Sequence, residues 1–315
     1  MGWKAATDKT KLHKEFSLYE SQQSEKCSLK KLVFDKENSQ HQLLLTNKGP
    51  FEHLDLVYTM QHQQALRWLV EFIFDNPTLS SVASGCMYGL DVGSSMGFVS
   101  HMASFTGFLY LDAALPAGEI EMLHDANMGM CGGEAQELNF PDDKFPIVTS
   151  LHAIEHFGLG RYGDSIDAMG DIRGVRELHR VLHPGGIFIG AVPIIQSGME
   201  HVKFNINRLY SIKSIKSLLV SCGFDIAKEL CVLAPLQGVI KELPAPDGHG
   251  PPIPPQKTCA CLLTPEQFEN TMKKVTCNDC PPDAVYMWVG TKKLCNDDTI
   301  ESSNNRNEEQ GMDKK

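Results

Sequence analysis

Glu155 and His156 stand side by side, with Asp164 and Asp167 following in the next loop. Carboxylate and imidazole take and deliver protons near neutral pH, so His156 and Glu155, then Asp164 and Asp167, are the first candidates for a general base. An acid–imidazole pair also caps helices and orders loops, and that structural reading stands ahead of the catalytic one. Arg161 and Tyr162 lie inside the glycine-rich segment His156-Phe-Gly-Leu-Gly-Arg-Tyr-Gly-Asp164. A guanidinium binds carboxylates bidentately, so Arg161 with Tyr162 could hold an acidic or sugar-like substrate. Equally, the two could brace the loop against a sheet. Asn205, Asn207, Arg208 and Tyr210 form a second polar concentration that suits a substrate pocket.

These groups need a scaffold, and the chain offers one. Met87 to Val92 is a short apolar run carrying Asp91, and it breaks into the small-residue loop Gly93-Ser-Ser-Met-Gly97. Phe98 to Phe105 then has helical spacing. Strand, glycine loop and helix present backbone N–H groups and a helix N-terminus to a nucleotide-like ligand. Alone the pattern is weak, because such turns also occur without a ligand. Phe108-Leu-Tyr-Leu-Asp112 reads as a second strand ending in an acid, placed to accept from ribose hydroxyls or to cap the next helix.

The stretch Gly133-Glu-Ala-Gln-Glu-Leu-Asn-Phe-Pro to Leu151-His-Ala-Ile-Glu-His156, with Leu182-His-Pro-Gly-Gly to Pro193 and Ser221-Cys-Gly-Phe224, resembles class I S-adenosylmethionine-dependent methyltransferases. His156 to Asp164 and Phe204 to Tyr210 resemble more narrowly a nematode-described domain of unknown function, over roughly residues 50–240 and the last strand. The resemblance implies a doubly wound α/β fold: a mostly parallel, Rossmann-like, seven-stranded sheet with an antiparallel last strand. It also implies S-adenosylmethionine as cofactor. Gly93, Ser94, Ser95 and Gly97 would then form the turn under its methionine end, with Asp91 on the strand before it. Asp112 would take the ribose, and Glu134 with Ala135 would frame the adenine. Ser150, Leu151 and His152 would face the sulfonium. The chain departs from the pattern at Ser94 and Ser95, where alternating glycines are usual, at Glu134, where aspartate is usual, and at Pro146.

Composition suits a soluble α/β protein: 315 residues, 42% hydrophobic, with a formal net charge of −10. No basic stripe stands out, which disfavours a nucleic-acid partner. No signal-peptide pattern follows Met1, Ala6 sits where a myristoylation motif wants Ser or Thr, and no apolar run is long enough to span a bilayer. A cytoplasmic location without membrane attachment is the expectation.

Ten cysteines are many for such a chain. Cys259-x-Cys261 and Cys277-x-x-Cys280 have spacing compatible with a structural zinc site, although free thiols or a local disulfide are the plainer readings. Residues 1–50 read as a partly disordered extension with a short strand at Leu43 to Leu45. Residues 51–240 read as the core, opening on a helix over Tyr58 to Phe74. Residues 241–284 read as a Pro/Cys-rich insertion, 285–295 as the returning strand, and 296–315 as a disordered acidic tail.

The reading that joins these features is a methyltransferase acting on a small-molecule or carbohydrate-like acceptor. A methyltransferase-fold binding or scaffold protein without turnover is the alternative. A nicotinamide-dependent oxidoreductase ranks third, because G-x-G-x-x-G is missing. Oligomeric state is not legible in the chain.

Overall fold

The computed structural model describes residues 9–34, 51–76, 89–104, 106–117, 120–123, 128–233, 261–273 and 284–292. The N-terminal part holds α1 (Lys9–Gln22), β1 (Leu32–Val33) and α2 (Phe51–Asp75). The core follows as β2 (Gly89–Val92), α3 (Met96–Ala103), β3 (Phe108–Ala117), β4 (Ile120–Leu123), β5 (Met128–Gly132) and β6 (Phe145–Leu151). A single 3-10 turn, Ile154–His156, leads to α4 (Gly170–Val181), β7 (Leu182–Pro193), β8 (His201–Lys203), β9 (Asn207–Leu209), α5 (Ile212–Ser221) and β10 (Asp225–Leu233). Last come β11 (Cys261–Leu263), α6 (Pro265–Met272) and β12 (Ala284–Thr291).

Nine strands form one sheet in the order β11-β10-β12-β7-β6-β2-β3-β5-β4. Strands β5, β3, β2, β6 and β7 run parallel, while β12 enters antiparallel between β7 and β10. The expected seven-stranded, doubly wound, mostly parallel sheet with an antiparallel last strand is therefore present, with β4 and β11 added as antiparallel edges. Chain order reverses at β2, which has β3 on one side and β6 on the other. Ligands of open α/β sheets bind beyond the carboxyl ends of the strands at such a switch point.

The sheet divides the core in two. One face packs α4, α5 and α1 residues such as Val175, Leu219 and Tyr19, and the other packs Leu69 of α2 and Phe98 and Met102 of α3. Strands buried on both faces lose the polar alternation of a half-wet strand, and β12 (Ala-Val-Tyr-Met-Trp-Val-Gly-Thr) is buried at every position but the last.

Part of the N-terminal segment belongs to the packed structure. Residues 9–34 fold onto the core: β1 pairs in parallel with β8, and Tyr19, Leu12, Cys27 and Leu29 are buried. The physical reason is aromatic: Phe16, Tyr19 and Phe34 gather around the buried ring of Phe204. The strand expected at Leu43 to Leu45, the Pro-rich run 242–256 and the tail from 296 lie outside the described residues. Of the insertion, α6 docks through buried Phe268 and Met272, behind a capping box in which Thr264 accepts from Gln267. Strand β3 continues through Asp112 to Ala117, so the acid lies within the strand rather than at its end. Between β7 and α5 the chain forms a hairpin, β8–β9. Asn205 makes its turn at φ 59, a conformation asparagine tolerates better than most residues. Among the described residues no helix is long and apolar enough to cross a membrane.

Candidate active site

The glycine turn is locked from below. Asp91, fully buried at the base of the loop, accepts from Ser94 N at 2.9 Å and from Thr149 Oγ1 at 2.5 Å. Burial raises its carboxyl to about 6, against the lowering effect of those hydrogen bonds. Ser94 Oγ accepts from Leu151 N at 2.8 Å, and Ser150 Oγ donates to Val92 O at 2.9 Å. Ser95 is the N-cap of α3, accepting from Phe98 N. The two serines that depart from the usual glycines are thus structural fasteners, tying β2, β6 and α3 together. Gly93 is the glycine the turn requires. Its φ is +77, and a Cβ there would lie 2.8 Å from the Cβ of Ala153. Gly97 differs, since a Cβ there would meet open space.

Above the turn lies a cavity of about 170 Å³, lined by Gly93, Tyr110, Leu111, Ala135, Gln136 and His152, among others. A second cavity of about 390 Å³ adjoins it, between α2, the end of β7 and the β8–β9 hairpin. His152, His156 and no other described residue line both. His152 sits at φ 57, an uncommon conformation for a non-glycine residue that often marks a functional constraint. Its Nδ1 pairs with Glu155 Oε1 at 3.3 Å, its Nε2 pairs with the Gln61 amide at 2.9 Å, and its ring lies against Tyr58.

His156 points its Nδ1 at Ile206 O, 2.7 Å away, and its Nε2 is 3.8 Å from Glu155 Oε1. Burial holds its pKa down at about 4, with Arg161 adding to the effect and Glu155 opposing it. His156 is therefore a neutral imidazole near pH 7. Glu155 is 2% exposed. Burial works to raise its pKa, but the His152 hydrogen bond and the two histidines outweigh it and hold the group below the ordinary carboxylate value. Its Oε2 is buried without a partner.

The other sequence candidates are placed differently. Asp164, expected as a base, spends its carboxylate on the backbone N–H groups of Gly158, Gly160 and Tyr162 at 2.9, 3.2 and 3.1 Å. Asp167 accepts from Met169 N and pairs with Arg173. Both order the loop and touch no second carboxylate or histidine of the cluster. Gly158 fits between them: a Cβ there would lie 2.3 Å from Asp167 O. Glu134, expected at an adenine, accepts from Ser165 N and Oγ and so ties β5 to the same loop. Ala135 and Leu111 line the first cavity; Leu151 is buried beside it at the end of β6. Asp112 lies in β3 opposite Gly132; its side chain is outside the described part.

Among the substrate candidates, Arg161 lines the second cavity, donates to Ile206 O at 2.8 Å and leaves its Nε buried without a partner. Tyr162 lies edge-on to His156 and lines the first cavity. Asn205 donates to Leu159 O. Arg208 lines neither cavity: 1% exposed, it pairs with Asp171 at 3.5 Å and donates to Phe157 O and Tyr19 OH. Composition could not reveal this, because the partner aspartate is on α4 and the tyrosine on α1. Gln136 and Lys203 line the cavities and buried Gln61 holds His152; sequence reasoning missed all three. Only the proximity of Gln136 to the Glu134-Ala135 turn could have suggested one of them.

Of the four grouped cysteines only Cys261 lies among the described residues, in β11. Among those residues no three His, Cys, Asp or Glu side chains gather as a metal site.

No curated protein matches the chain significantly. Among solved structures it is similar to an S-adenosylmethionine-dependent methyltransferase from Mesorhizobium loti (16% identity, covering 68% of this chain and 95% of that one, TM-score 0.36). It is likewise similar to a methyltransferase of the same kind from Methanosarcina mazei (14%, 69% and 98%, TM-score 0.36) and to the [4+2]-cyclase SpnF (14%, 70% and 80%, TM-score 0.40). Residues 134–231 match the family described as "Caenorhabditis protein of unknown function, DUF268", a narrower span than the 50–240 expected. The matched segment contains Glu155, His156, Arg161, Lys203 and the β8–β9 hairpin, so the part of the chain that is similar to this family also supplies the polar half of the candidate site.

Proposed function

We propose that the chain is an S-adenosylmethionine-dependent methyltransferase, cytoplasmic, acting on a small-molecule or carbohydrate-like acceptor. One observation carries the reading: two cavities meet at His152 and His156, one over the glycine turn at the sheet's switch point and one beyond it. The first suits a cofactor and the second an acceptor.

The residues of the first cavity fit the cofactor. Gly93 leaves room where a side chain would clash, and Gln136 Nε2 is buried without a partner, a donor awaiting an acceptor such as a purine nitrogen. Gly93, Ala135 and Gln136 would hold it, with Asp112 of β3 for the ribose. When bound, the cofactor supplies an electrophilic methyl group.

What the chain itself contributes is alignment and proton handling. His152, held by Gln61 and Glu155, forms the wall between the cavities. Glu155 Oε2 is the free acceptor for the proton of an attacking hydroxyl. Neutral His156 fixes the hairpin beside it.

The binding-protein reading keeps one observation in its favour: Asp164 and Asp167, two of the four candidate bases, are committed to the loop. Calorimetric titration with S-adenosylhomocysteine tests the main reading, with Asp112→Ala and Gln136→Leu as controls. Micromolar binding weakened by both variants is expected. Well-folded protein that does not bind S-adenosylhomocysteine would leave the scaffold alternative standing.

A further inference from the structure

The second cavity holds an unusual set of polar atoms. Glu155 Oε2 is a buried acceptor with no donor, and Arg161 Nε is a buried donor with no acceptor; both residues line the cavity. Lys203 also lines it, and its ammonium has no hydrogen-bond or ion-pair partner among the described residues. Of the wall's other ionisable groups, His152 is committed to Gln61, His156 to Ile206, and Tyr58 packs against the His152 ring.

We propose that this cavity binds a small carboxylate that also carries a hydroxyl group, with the carboxylate at Arg161 and Lys203 and the hydroxyl on Glu155 Oε2. This rests on the two-cavity reading above and narrows its acceptor. Two cations face one carboxylate, so a single negative charge on the ligand neutralises the wall. A neutral sugar would meet Glu155 but leave both cations uncompensated. A plain carboxylate would leave Oε2 buried and unpaired, which carries the full desolvation cost of that atom. An amino acid would meet Glu155 with its ammonium, yet brings no net charge to balance Arg161 and Lys203. A hydroxy acid satisfies all three groups together.

Ligand-observed NMR on the full-length protein tests this with matched probes: 3-hydroxybutyrate against butyrate and 1,3-butanediol, and glucuronate against glucose. Each acid bearing a hydroxyl is expected to bind about tenfold more tightly than its neutral or hydroxyl-free counterpart. Lys203→Gln, on a half-exposed hairpin position, should weaken the acids about fivefold or more with melting temperature unchanged. Arg161→Lys, which keeps the charge but not the planar fork, gives a second reading. Equal binding of neutral alcohols, equal binding of butyrate, or no binding of either hydroxy acid would each overturn the proposal. S-adenosylhomocysteine is titrated into the same samples. Its binding without the acids removes the acid class and keeps the cofactor; the acids binding without it keeps this pocket and removes the methyltransferase.

Discussion

His156 and Arg161 donate to the same carbonyl oxygen, that of Ile206, at 2.7 and 2.8 Å. A carbonyl has two lone pairs, and this one serves both donors. The consequence reaches beyond the hairpin turn. Asn205 and Arg208 also bond back to the glycine-rich loop, at Leu159 O and Phe157 O. The hairpin and the loop are therefore one unit, and the cavity between α2 and that unit has a fixed rather than a draped wall. The shared carbonyl also sets the tautomer of His156, leaving Nε2 as its acceptor nitrogen.

The first prediction concerns that histidine. Its pKa is held at about 4, below the unfolded value near 6.5. A depressed pKa contributes stability that is present above pH 6.5 and is lost as pH falls toward 4. In an NMR titration the His156 ring should stay neutral to about pH 4. A midpoint near 6.5 would mean that the Ile206 contact does not bury the ring.

Asp91 predicts the opposite slope. Its folded pKa, about 6, lies above the ordinary carboxylate value. Its contribution is fully present below about pH 4 and is lost as pH rises through 6. Unfolding free energies of wild type minus Asp91→Asn should therefore fall between pH 4 and pH 6 and level off above. A flat difference across that window would show that Thr149 and Ser94 compensate the buried charge completely.

Ser94 and Ser95 are neighbours in sequence with different costs. Ser94→Ala would strand the buried N–H of Leu151, a loss of about 1–3 kcal/mol. Ser95→Ala removes a helix N-cap at an exposed position, a loss of about 1 kcal/mol. Chemical denaturation should rank Ser94→Ala as the more damaging. The reverse order would argue that water replaces the Ser94 hydroxyl.

How much of this was legible in the chain follows from the range of the interactions. The β2 turn, β6, β7 and β12 were readable because each is a short apolar run bounded by its own glycines or prolines, and strand order follows from the resemblance. Ser94 could be seen as a departure but not as a fastener, because its partner, Leu151, is 57 residues away in sequence. Asp164 looked like a base because its type allows it, and only the fold shows three amides converging on it. The burial of residues 9–34 escaped notice for a related reason: α1 has a weakly amphipathic, mostly polar sequence, and its anchor is one tyrosine meeting a distant ring.

Arg208 gives the sharpest contrast with Arg161. Its guanidinium is 1% exposed and faces Asp171, which also accepts from Tyr210 OH at 2.8 Å and from Ser28. Removing one member of a buried pair leaves the other charge uncompensated, at a cost of about 3–5 kcal/mol. Arg208→Met should therefore unfold far more easily than wild type, and Asp171→Asn should be damaging as well. Arg161 loses one backbone bond when replaced by lysine, so Arg161→Lys should stay within about 1.5 kcal/mol of wild type while changing what the second cavity binds. Thermal melts of the two arginine variants, read beside ligand binding, separate fold from site. If Arg208→Met melted like wild type yet lost ligand binding, the residue would belong to the pocket after all.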